Sequence, residues 1–372
     1  MMLALSYPNK QPENQILQQS SAILPMSLDS TLPLLFAGDN FQALSVLLNS
    51  GYREKIDLIY IDPPYNTQQT FTIDDERAST ISRTRNGVIA YSDKLNITDY
   101  LEFMRERLIL MRELLSPCGS IYVHIDNKIG HYLKIIMDEI FGTENFKNDI
   151  ARIKSNPKNF SRRAFGNEKD MILFYAKNAK KNIFNNITIP LSDDEKIEMF
   201  QKIDDNGRRY NTVPVHAPGE TQNGETGGLW RNTLPPKGRH WRSSPSELDK
   251  LDEQGLLEWS KNGVPRIKKF ADEHKGKKIQ DIWQYKDPVY PTYPTEKNTD
   301  MLKMIIQQSS NPHSIVLDCF AGSGSTLFAA HSLQRRWIGV DISHIAIKVI
   351  GQRFGLLPIQ LIEQENTHFQ AA

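Results

Sequence analysis

The sequence predicts an α/β fold built on a mainly parallel sheet, because strand and helix patterns alternate near both ends of the chain. In the first part, an apolar strand at 32–37 is followed by a helical spacing of apolar residues at 41–48 and by a second apolar strand at 56–61. Near the end, strand, helix and strand patterns recur at 314–318, 325–333 and 337–341. A right-handed crossover places both strands of the first unit in one parallel sheet.

The middle of the chain adds further elements and then loses its regular pattern. Apolar spacing predicts helices at 98–115, with Thr98 as the N-cap, and at 130–141, and strands at 120–125, 150–155 and 171–177. Residues 1–30 are polar and unpatterned, and we expect a loosely ordered arm. From 178 to 290, Pro, Gly, Asn and charged residues dominate, and we expect a small irregular inserted domain whose core contains the tryptophans Trp230, Trp241, Trp259 and Trp283.

The composition is that of a soluble globular protein, with 39% hydrophobic and 24% charged residues. The only cysteines, Cys118 and Cys319, predict no disulfide framework, so we expect a reducing, cytoplasmic setting. We expect no signal peptide, because the chain is apolar only over its first five residues, and no run is long enough to span a membrane. The histidines show no metal-ligand spacing, so no metal site is predicted.

Basic residues are concentrated in the middle of the chain. Residues 151–290 contain 26 Lys and Arg against 19 Asp and Glu, whereas the remainder contains 19 against 25. This predicts a basic insert that faces nucleic acid, and the alternative is an unevenly charged solvated surface. The loop at 156–170 interleaves basic with aromatic residues, which suits phosphate contact and base stacking, although a polar connection is the alternative. Its candidates for contact with DNA are Lys158, Phe160, Arg162 and Arg163.

Asp62-Pro63-Pro64-Tyr65 follows the strand at 56–61 directly. Two prolines end a strand, so a carboxylate, a stiff turn and an aromatic ring stand at its carboxyl end, where open α/β sheets bind ligands. An aspartate that caps the next turn is the structural alternative. With Tyr65, the motif resembles the Asp/Asn-Pro-Pro-Tyr/Phe signature of enzymes that methylate exocyclic or amide nitrogens. The chemistry fits this resemblance, because Asp62 and the Pro63 carbonyl can accept the amino hydrogens while Tyr65 stacks on the base.

A second motif lies near the end of the chain. The strand at 314–318 ends in Asp318 and is followed by a small-residue turn from Cys319 to Gly324, and the next strand ends in Asp341. Glycines let a cofactor approach the backbone at the start of a helix, and an acid at the next strand end can bind ribose hydroxyls. A turn of this kind could equally bind a dinucleotide. If both motifs share one sheet, they form two halves of one site.

Together, these stretches resemble the permuted β group of site-specific DNA amino-methyltransferases, including type III Mod subunits, from about 32 to 353. The resemblance implies a permuted Rossmann-like sheet that uses S-adenosylmethionine, with catalytic segments 31–177 and 291–360 around an inserted recognition region, 178–290. It assigns the methyl-accepting base to Asp62, Pro63, Pro64 and Tyr65. It assigns the cofactor to Asp318, Phe320, Ala321, Gly322, Gly324, Asp341, Thr295 and Lys297. Lys237 and Arg239 lie in a stretch that resembles the recognition region of some members.

Two positions depart from the family pattern, where Cys319 and Asn298 each stand in place of a common proline. Cys319 is small, and Asn298 can cap a helix at 299–308, so neither change argues for an inactive protein. Pro117-Cys118 superficially resembles the nucleophile of cytosine-C5 methyltransferases, but it is expected to form a turn.

The resemblance implies methylation of adenine N6 in double-stranded DNA, by base flipping and direct transfer from S-adenosylmethionine. Asp rather than Ser at position 62 favours adenine by family association. Two alternatives stay open, a cytosine N4 methyltransferase and a catalytically silent DNA-binding specificity subunit. A cognate restriction endonuclease and a homodimer are partners that the sequence leaves undecided.

Overall fold

The structure is a computed structural model that describes residues 4–64, 70–74, 77–78, 88–92, 96–155, 163, 165–221, 223–261, 263–287 and 296–364. The chain forms two compact units. The first comprises Met1–Ile187 and Gln280–Ala372, and the second comprises Thr188–Ile279.

The helices and strands follow one another in three stretches of the chain. Before the second unit lie α1 (Glu13–Ser21), β1 (Leu34–Ala37), α2 (Asn40–Leu47), β2 (Ile56–Ile61), β3 (Thr70–Asp74), β4 (Arg77–Ala78), β5 (Val88–Ser92), α3 (Ile97–Leu114), β6 (Leu115–Ile125), α4 (Gly130–Phe141), β7 (Phe146–Ile153) and β8 (Lys169–Ala176). The second unit contains β9 (Thr188–Ile189), α5 (Asp193–Met199), β10 (Lys202–Ile203), β11 (Arg209–Pro214), β12 (His216–Pro218), β13 (Arg239–Trp241), α6 (Pro245–Glu253), β14 (Leu257–Trp259), β15 (Pro265–Phe270) and β16 (Lys277–Lys278). The last stretch contains β17 (Ile282–Trp283), α7 (Thr299–Ser309), β18 (Ile315–Asp318), α8 (Ser325–Ser332), β19 (Arg336–Asp341), α9 (His344–Phe354) and β20 (Gln360–Glu363).

A nine-stranded sheet forms the centre of the first unit, in the order β17-β7-β8-β6-β2-β18-β19-β1-β20. From β6 to β20 every neighbouring pair is parallel, and β8 is antiparallel to both β6 and β7. The predicted α/β fold with a mainly parallel sheet is therefore confirmed. β2 and β18 are neighbours, with Leu58 opposite Val316 and Ile59 opposite Leu317, although 253 residues, 62–314, lie between the two strands in the chain.

Local sequence explains most of these elements. Five of the six residues of β2 are buried, as expected for a strand covered on both faces. The helix predicted at 130–141 has the bounds of α4, and Asn298 caps α7 by accepting from the backbone N–H groups of Asp300 and Met301. The N-cap predicted for α3 is wrong. Asn96, not Thr98, caps this helix by accepting from Asp99 N, because its side chain stands three residues before that group.

The expectation of a loosely ordered N-terminal arm is wrong for α1. Ile16 of this helix is fully buried in the core of the first unit. The Arg112 guanidinium donates to Glu13 at 2.6 Å, and Lys10 Nζ lies 2.7 Å from Glu139 Oε2. One buried apolar residue in a polar helix gives no apolar periodicity, which is why the pattern did not indicate it.

The second unit is built on a four-stranded sheet, β10-β11-β15-β14, beside the hairpin β12-β13. Trp230 and Trp241 are buried in its core, with their rings edge-to-face at 5.6 Å, which confirms the prediction for these two residues. Trp259 stacks on Trp230 at 5.9 Å but is 41% exposed. Trp283 belongs to β17 in the first unit, so the predicted insert boundaries are too wide.

Within the basic segment predicted at 151–290, the excess of Lys and Arg lies in the first part and not in the second compact unit. Residues 188–279 contain 16 Lys and Arg against 15 Asp and Glu, whereas residues 151–187 contain 9 against 2. The excess therefore lies in the stretch around β7 and β8, and the second compact unit is nearly neutral. The range 151–290 includes two structurally different segments, 151–187 in the first unit and 188–279 in the second. Across the described residues, no helix is both long and apolar enough to cross a membrane.

Candidate active site

The site lies where β2 and β18 meet in the sheet. The chain leaves β2 toward β6 on one side, and it leaves β18 toward β19 on the other. Such a reversal opens a crevice at the carboxyl ends of the strands. A cavity of about 240 Å³ occupies it, lined by Gly38, Asp39, Asn40, Tyr60, Asp62, Pro64, Phe103, Glu296, Lys297, Asp318, Cys319, Phe320, Ala321, Gly322, Ser323, Ser325, Thr326, Asp341, Ile342 and Ser343.

Asp62, the first residue after β2, forms an ion pair at one end of this cavity. Its Oδ2 lies 2.9 Å from Lys297 Nζ, and the two side chains are only 16% and 10% exposed. Pro63 is buried, and the Pro64 carbonyl accepts a 2.6 Å hydrogen bond from the Tyr100 hydroxyl, which fixes the turn. The Asp62 carboxylate is thereby held at the sheet edge beside a cation.

Asp318 and Asp341 line another part of the cavity, at the carboxyl ends of β18 and β19. Phe320 N donates to Asp318 Oδ1 at 3.0 Å, and Gly322 N and Ser343 N each donate to Asp341 at 2.8 Å. Burial, together with the nearby charges of Asp62 and Asp341, raises the pKa of Asp318 to about 7. Burial also raises the pKa of Asp341. Both carboxylates therefore lie in surroundings that favour added positive charge.

The backbone between these acids requires glycine. Gly322 and Gly324 have φ values of 51° and 74°, in the left-handed region that side chains disfavour. A Cβ on Gly324 would also lie 2.8 Å from Ile350 Cγ1. Gly324 N donates to Ala321 O at 2.7 Å, which closes a tight turn before α8. The turn exposes backbone at the start of a helix, as nucleotide cofactors require.

Arg107 of α3 supports three residues that line the cavity, Asp39, Asn40 and Phe103. Its guanidinium donates to Asp39 at 2.9 Å and to Asn40, and it lies 3.6 Å from the centre of the Phe103 ring. Phe103 in turn meets Phe320 edge-to-face at 6.2 Å. Buried α3 thus connects the end of β1 to the turn that contains Phe320.

Glu296 lines the cavity next to Lys297 and pairs with Arg353 of α9. The Arg353 guanidinium also donates to Ser325 Oγ at 3.1 Å. The segment that carries Lys297 is therefore tied to the helix that begins after the glycine turn.

A buried polar cluster that the sequence analysis missed lies behind Asp62. The Tyr60 hydroxyl and His124 Nδ1 are 2.8 Å apart, and His124 Nε2 is 3.3 Å from Asp170 Oδ2. His124 Nδ1 also lies 3.8 Å from Asp62 Oδ1. The positions of Tyr60 and His124 on central strands could have indicated this cluster, but histidine and tyrosine in a strand are usually part of a core.

The predicted site residues fall into three groups. The structure brings most of them together in or beside the cavity: Asp62, Pro63, Pro64, Lys297, Asp318, Phe320, Ala321, Gly322, Gly324 and Asp341. Arg163, Lys237 and Arg239 are exposed outside it. The remaining candidates lie outside the described residues, namely Tyr65, Thr295, Lys158, Phe160 and Arg162.

A family model for a DNA methylase, the N6/N4 methyltransferase family, matches residues 56–352, a range that includes both ends of the cavity. The chain belongs to this family. It is a DNA methyltransferase of the N6/N4 type, and the family depends on S-adenosylmethionine.

Curated relatives agree with this assignment. The methyltransferase is 41% identical to the type II methyltransferase M.EcaI of Enterobacter cloacae, over 98% of this chain and 80% of that protein. It is 27% identical to the Mod subunit of the type III restriction-modification enzyme StyLTI of Salmonella typhimurium, over 90% of this chain and 56% of the subunit. The solved structure of the M1.HpyAVI-SAM complex is 17% identical, covers 86% of this chain and 98% of its own, and has a TM-score of 0.44.

Proposed function

We propose that this methyltransferase transfers a methyl group from S-adenosylmethionine to N6 of adenine in double-stranded DNA, with Asp62 as the carboxylate that binds the amino group. One observation carries the proposal. Asp62 with Lys297, and Asp318 with Asp341, open into the same cavity at the junction of β2 and β18. A methyl donor and its acceptor must meet in such a shared space.

The part of the cavity lined by Asp318 and Asp341, called the cofactor end below, suits a cation that carries a ribose. Burial raises the pKa of Asp318 and of Asp341, and within the described residues neither carboxylate has a Lys or Arg at ion-pair distance. The carboxylate of Asp341 keeps acceptor sites for hydroxyl groups besides the two backbone N–H groups that it binds. When bound, S-adenosylmethionine supplies a methyl group on a positively charged sulfur. Asp318 and Asp341 would hold it, with the backbone of Phe320 to Gly322 beside them.

The part of the cavity lined by Asp62 and Lys297, called the acceptor end below, suits an exocyclic amino group. The lone pair of such a nitrogen is delocalised into the base, so it reacts only when it is oriented toward the methyl donor. The Asp62 carboxylate accepts the amino hydrogens, and Lys297 keeps it beside a positive charge. A base within the duplex does not reach this cavity, so the target base is flipped out, at a cost of a few kcal/mol that contacts in the pocket offset.

The choice of adenine rests on Asp62 itself. Aspartate at this position favours adenine by resemblance, whereas serine would favour cytosine N4. A carboxylate accepts hydrogen bonds from either amino group, so cytosine N4 is the second candidate. The type III relative is by name the Mod subunit of a restriction-modification enzyme, which supports a role beside a cognate restriction endonuclease.

Three arginines around His216 form a candidate DNA contact on the second unit. Arg239 Nη1 lies 3.2 Å from His216 Nδ1, Arg242 donates to the Pro214 carbonyl, and Arg266 donates to the Thr212 hydroxyl. Burial and then the three charges lower the pKa of His216. Within the described residues, none of these arginines has a carboxylate at ion-pair distance, so their charge remains available for phosphates.

Product analysis tests the reaction. The full chain is incubated with methyl-labelled S-adenosylmethionine and plasmid DNA, and the nucleosides are separated after digestion. We expect labelled N6-methyladenine, and sequencing of methylated bases then gives the target site. Labelled N4-methylcytosine would overturn the adenine assignment alone. If the protein binds DNA but no labelled cofactor in equilibrium dialysis, the silent specificity subunit is the correct alternative.

Salt-dependent DNA binding tests the arginine cluster. Arg266→Ala should weaken binding and reduce the slope of log K against log salt by about 1, as expected for one lost phosphate contact. Arg208→Ala is the matched control in the same unit, because Arg208 is already paired with Asp272 and Glu273. Equal effects of the two substitutions would remove the cluster from the DNA interface.

A further inference from the structure

His124 lies next to the proposed catalytic carboxylate on a neighbouring strand. In the parallel pairing of β2 with β6, Ile61 is opposite Val123, so the following residues Asp62 and His124 stand side by side. Tyr60 and Asp62 are two residues apart and therefore point to the same face of the sheet. His124 is fully buried and does not line the cavity, so it would act on the reaction through its neighbours.

Both ring nitrogens of His124 are engaged by fixed partners. Burial raises the pKa of Asp170, but hydrogen bonds from His124 and Lys154 outweigh it and hold that pKa well below its usual range. Ionised Asp170 can only accept, so His124 Nε2 donates to it at 3.3 Å. Burial lowers the pKa of His124 and outweighs the hydrogen bond to Asp170, which raises it. Above the usual imidazole pKa of about 6.5 the ring is therefore neutral, and its Nδ1 accepts from the Tyr60 hydroxyl at 2.8 Å.

The partners of this ring are themselves anchored. Asp170 lies 2.6 Å from Lys154 Nζ and 3.7 Å from Arg152 Nη1. Arg152 is fully buried, donates to the Tyr285 carbonyl at 2.8 Å and pairs with Asp287. Because both of its nitrogens are bound, the ring of His124 cannot turn without breaking a buried hydrogen bond. The ring is therefore held in place, with its Nδ1 3.8 Å from Asp62 Oδ1.

We propose that His124 is a positioning residue for Asp62, held by Tyr60 and Asp170, and that it keeps the carboxylate directed into the cavity while Lys297 binds the other oxygen. The inference rests on the proposed role of Asp62 as the group that binds the amino nitrogen. In this arrangement Lys297 supplies the positive charge beside Asp62, and the neutral imidazole of His124 restricts the orientation of the Asp62 carboxylate. A protonated His124 would instead compete with the target amino group for the same carboxylate.

Matched tyrosine substitutions test this role. Tyr60→Phe removes the donor to His124 Nδ1, whereas Tyr122→Phe removes a buried hydroxyl that pairs with Ser309 at 2.7 Å on the same sheet. We expect Tyr60→Phe to lower kcat by about 10- to 100-fold, the scale of a small misplacement of a reacting group. Tyr122→Phe should leave kcat unchanged. The dissociation constant for S-adenosylmethionine should stay near the wild-type value in both.

The pH profile gives a readout that a merely structural role would not change. The groups that face His124 are Tyr60 on β2, Asp62 directly after β2, Asp170 on β8 with Arg152 on β7, and Lys297. Without the Tyr60 hydroxyl, Nδ1 can take up a proton between two carboxylates. We therefore expect kcat of Tyr60→Phe to fall further as the pH is lowered from 8 to 6, with no such added loss in Tyr122→Phe.

Substitutions of His124 complete the test. His124→Gln keeps a donor near Asp170 but loses the acceptor for Tyr60, and it should lower kcat without weakening cofactor binding. In an Asp62→Asn background, His124→Gln should cause no further loss. Wild-type kcat and an unchanged pH profile in folded Tyr60→Phe and His124→Gln would overturn the inference. Full activity of Asp62→Asn would instead overturn the proposed function of Asp62, so the two failures are distinguishable.

Discussion

The two ends of the cavity differ in how their carboxylates are compensated. At the acceptor end, Asp62 has Lys297 at 2.9 Å and the anchored ring of His124 at 3.8 Å. At the cofactor end, Asp318 and Asp341 bind backbone N–H groups, and burial raises the pKa of both. The first end therefore has a lysine at ion-pair distance. At the second end, within the described residues, neither carboxylate has a Lys or Arg at that distance.

This difference assigns separate physical roles to the two ends. A carboxylate with its own cation can orient a neutral amino group without a large change in charge. Carboxylates that lack a cation destabilise the free protein when they ionise, and they regain that free energy when a cation binds. The comparison predicts that substitutions at the acceptor end affect methyl transfer, whereas those at the cofactor end affect binding and pH-dependent stability.

The largest effect is expected from Asp62→Ala. Loss of the carboxylate removes the acceptor for the amino hydrogens, and single-turnover methyl transfer should fall by about 1,000-fold, the scale of losing a central polar group in an active site. Cofactor binding, measured by equilibrium dialysis, should remain close to wild type. A comparable loss of cofactor affinity would show that the two ends are not separable.

Lys297→Met tests the charge balance of the acceptor end. It leaves the mostly buried Asp62 without its cation, and the free energy of unfolding should fall by about 3 kcal/mol in urea titrations. Methyl transfer should fall as well. Adding Asp62→Asn to this variant should restore part of the stability, since the unpaired charge is then gone.

Lys196→Met is the control for that variant. Lys196 pairs with Asp193 at 2.9 Å, and the two side chains are 40% and 92% exposed, so its loss should cost less than about 1 kcal/mol. Equal costs for Lys297→Met and Lys196→Met would contradict the view that the Asp62 pair is specially sensitive.

Asp341→Ala tests the cofactor end. It removes the acceptor at the end of β19, and the dissociation constant for S-adenosylmethionine should rise by about 10- to 100-fold, as for a lost hydrogen bond to a charged group. Asp126→Ala is the control, because Asp126 also follows a strand but accepts from Lys128 N and Ile129 N. An unchanged dissociation constant in Asp341→Ala would remove this residue from the cofactor site.

The smallest effect is expected from Asp318→Asn in the free protein. The pKa of Asp318 is about 7 in the folded protein and 3.8 in the unfolded chain, so between these values the folded state binds more protons. Stability from this group is therefore present at low pH, is lost as the pH rises from 3.8 to about 7, and changes little above that. The variant should gain about 1 kcal/mol relative to wild type at pH 8, or about 1 °C in Tm for a chain of 372 residues, and less at pH 5.

Thermal melts at the two pH values check this expectation. Saturating S-adenosylmethionine should stabilise wild type more than Asp318→Asn, because only the carboxylate gains from the added positive charge. The same Tm difference at pH 5 and pH 8 would show that ionised Asp318 does not destabilise the free protein.

Much of the sheet could be predicted from local sequence. The apolar run of β2, the cap at Asn298 and the bounds of α4 are encoded by neighbouring residues, and each agrees with the structure. The two motifs at the ends of β2 and β18 also indicated one shared edge, because parallel strands end together. The helix α1 and the limits of the second unit were missed, since neither depends on a periodic pattern.

The sequence by itself determined that Asp62, Asp318 and Asp341 stand at strand ends and that the chain returns to the same sheet after its insert. Only the tertiary structure decided their partners. Lys297 comes to Asp62 from a segment more than 230 residues away, and Asp170 reaches His124 through the antiparallel pairing of β8 with β6. Strand order, register and side-chain direction create these contacts, and the residues that flank either partner do not determine any of the three.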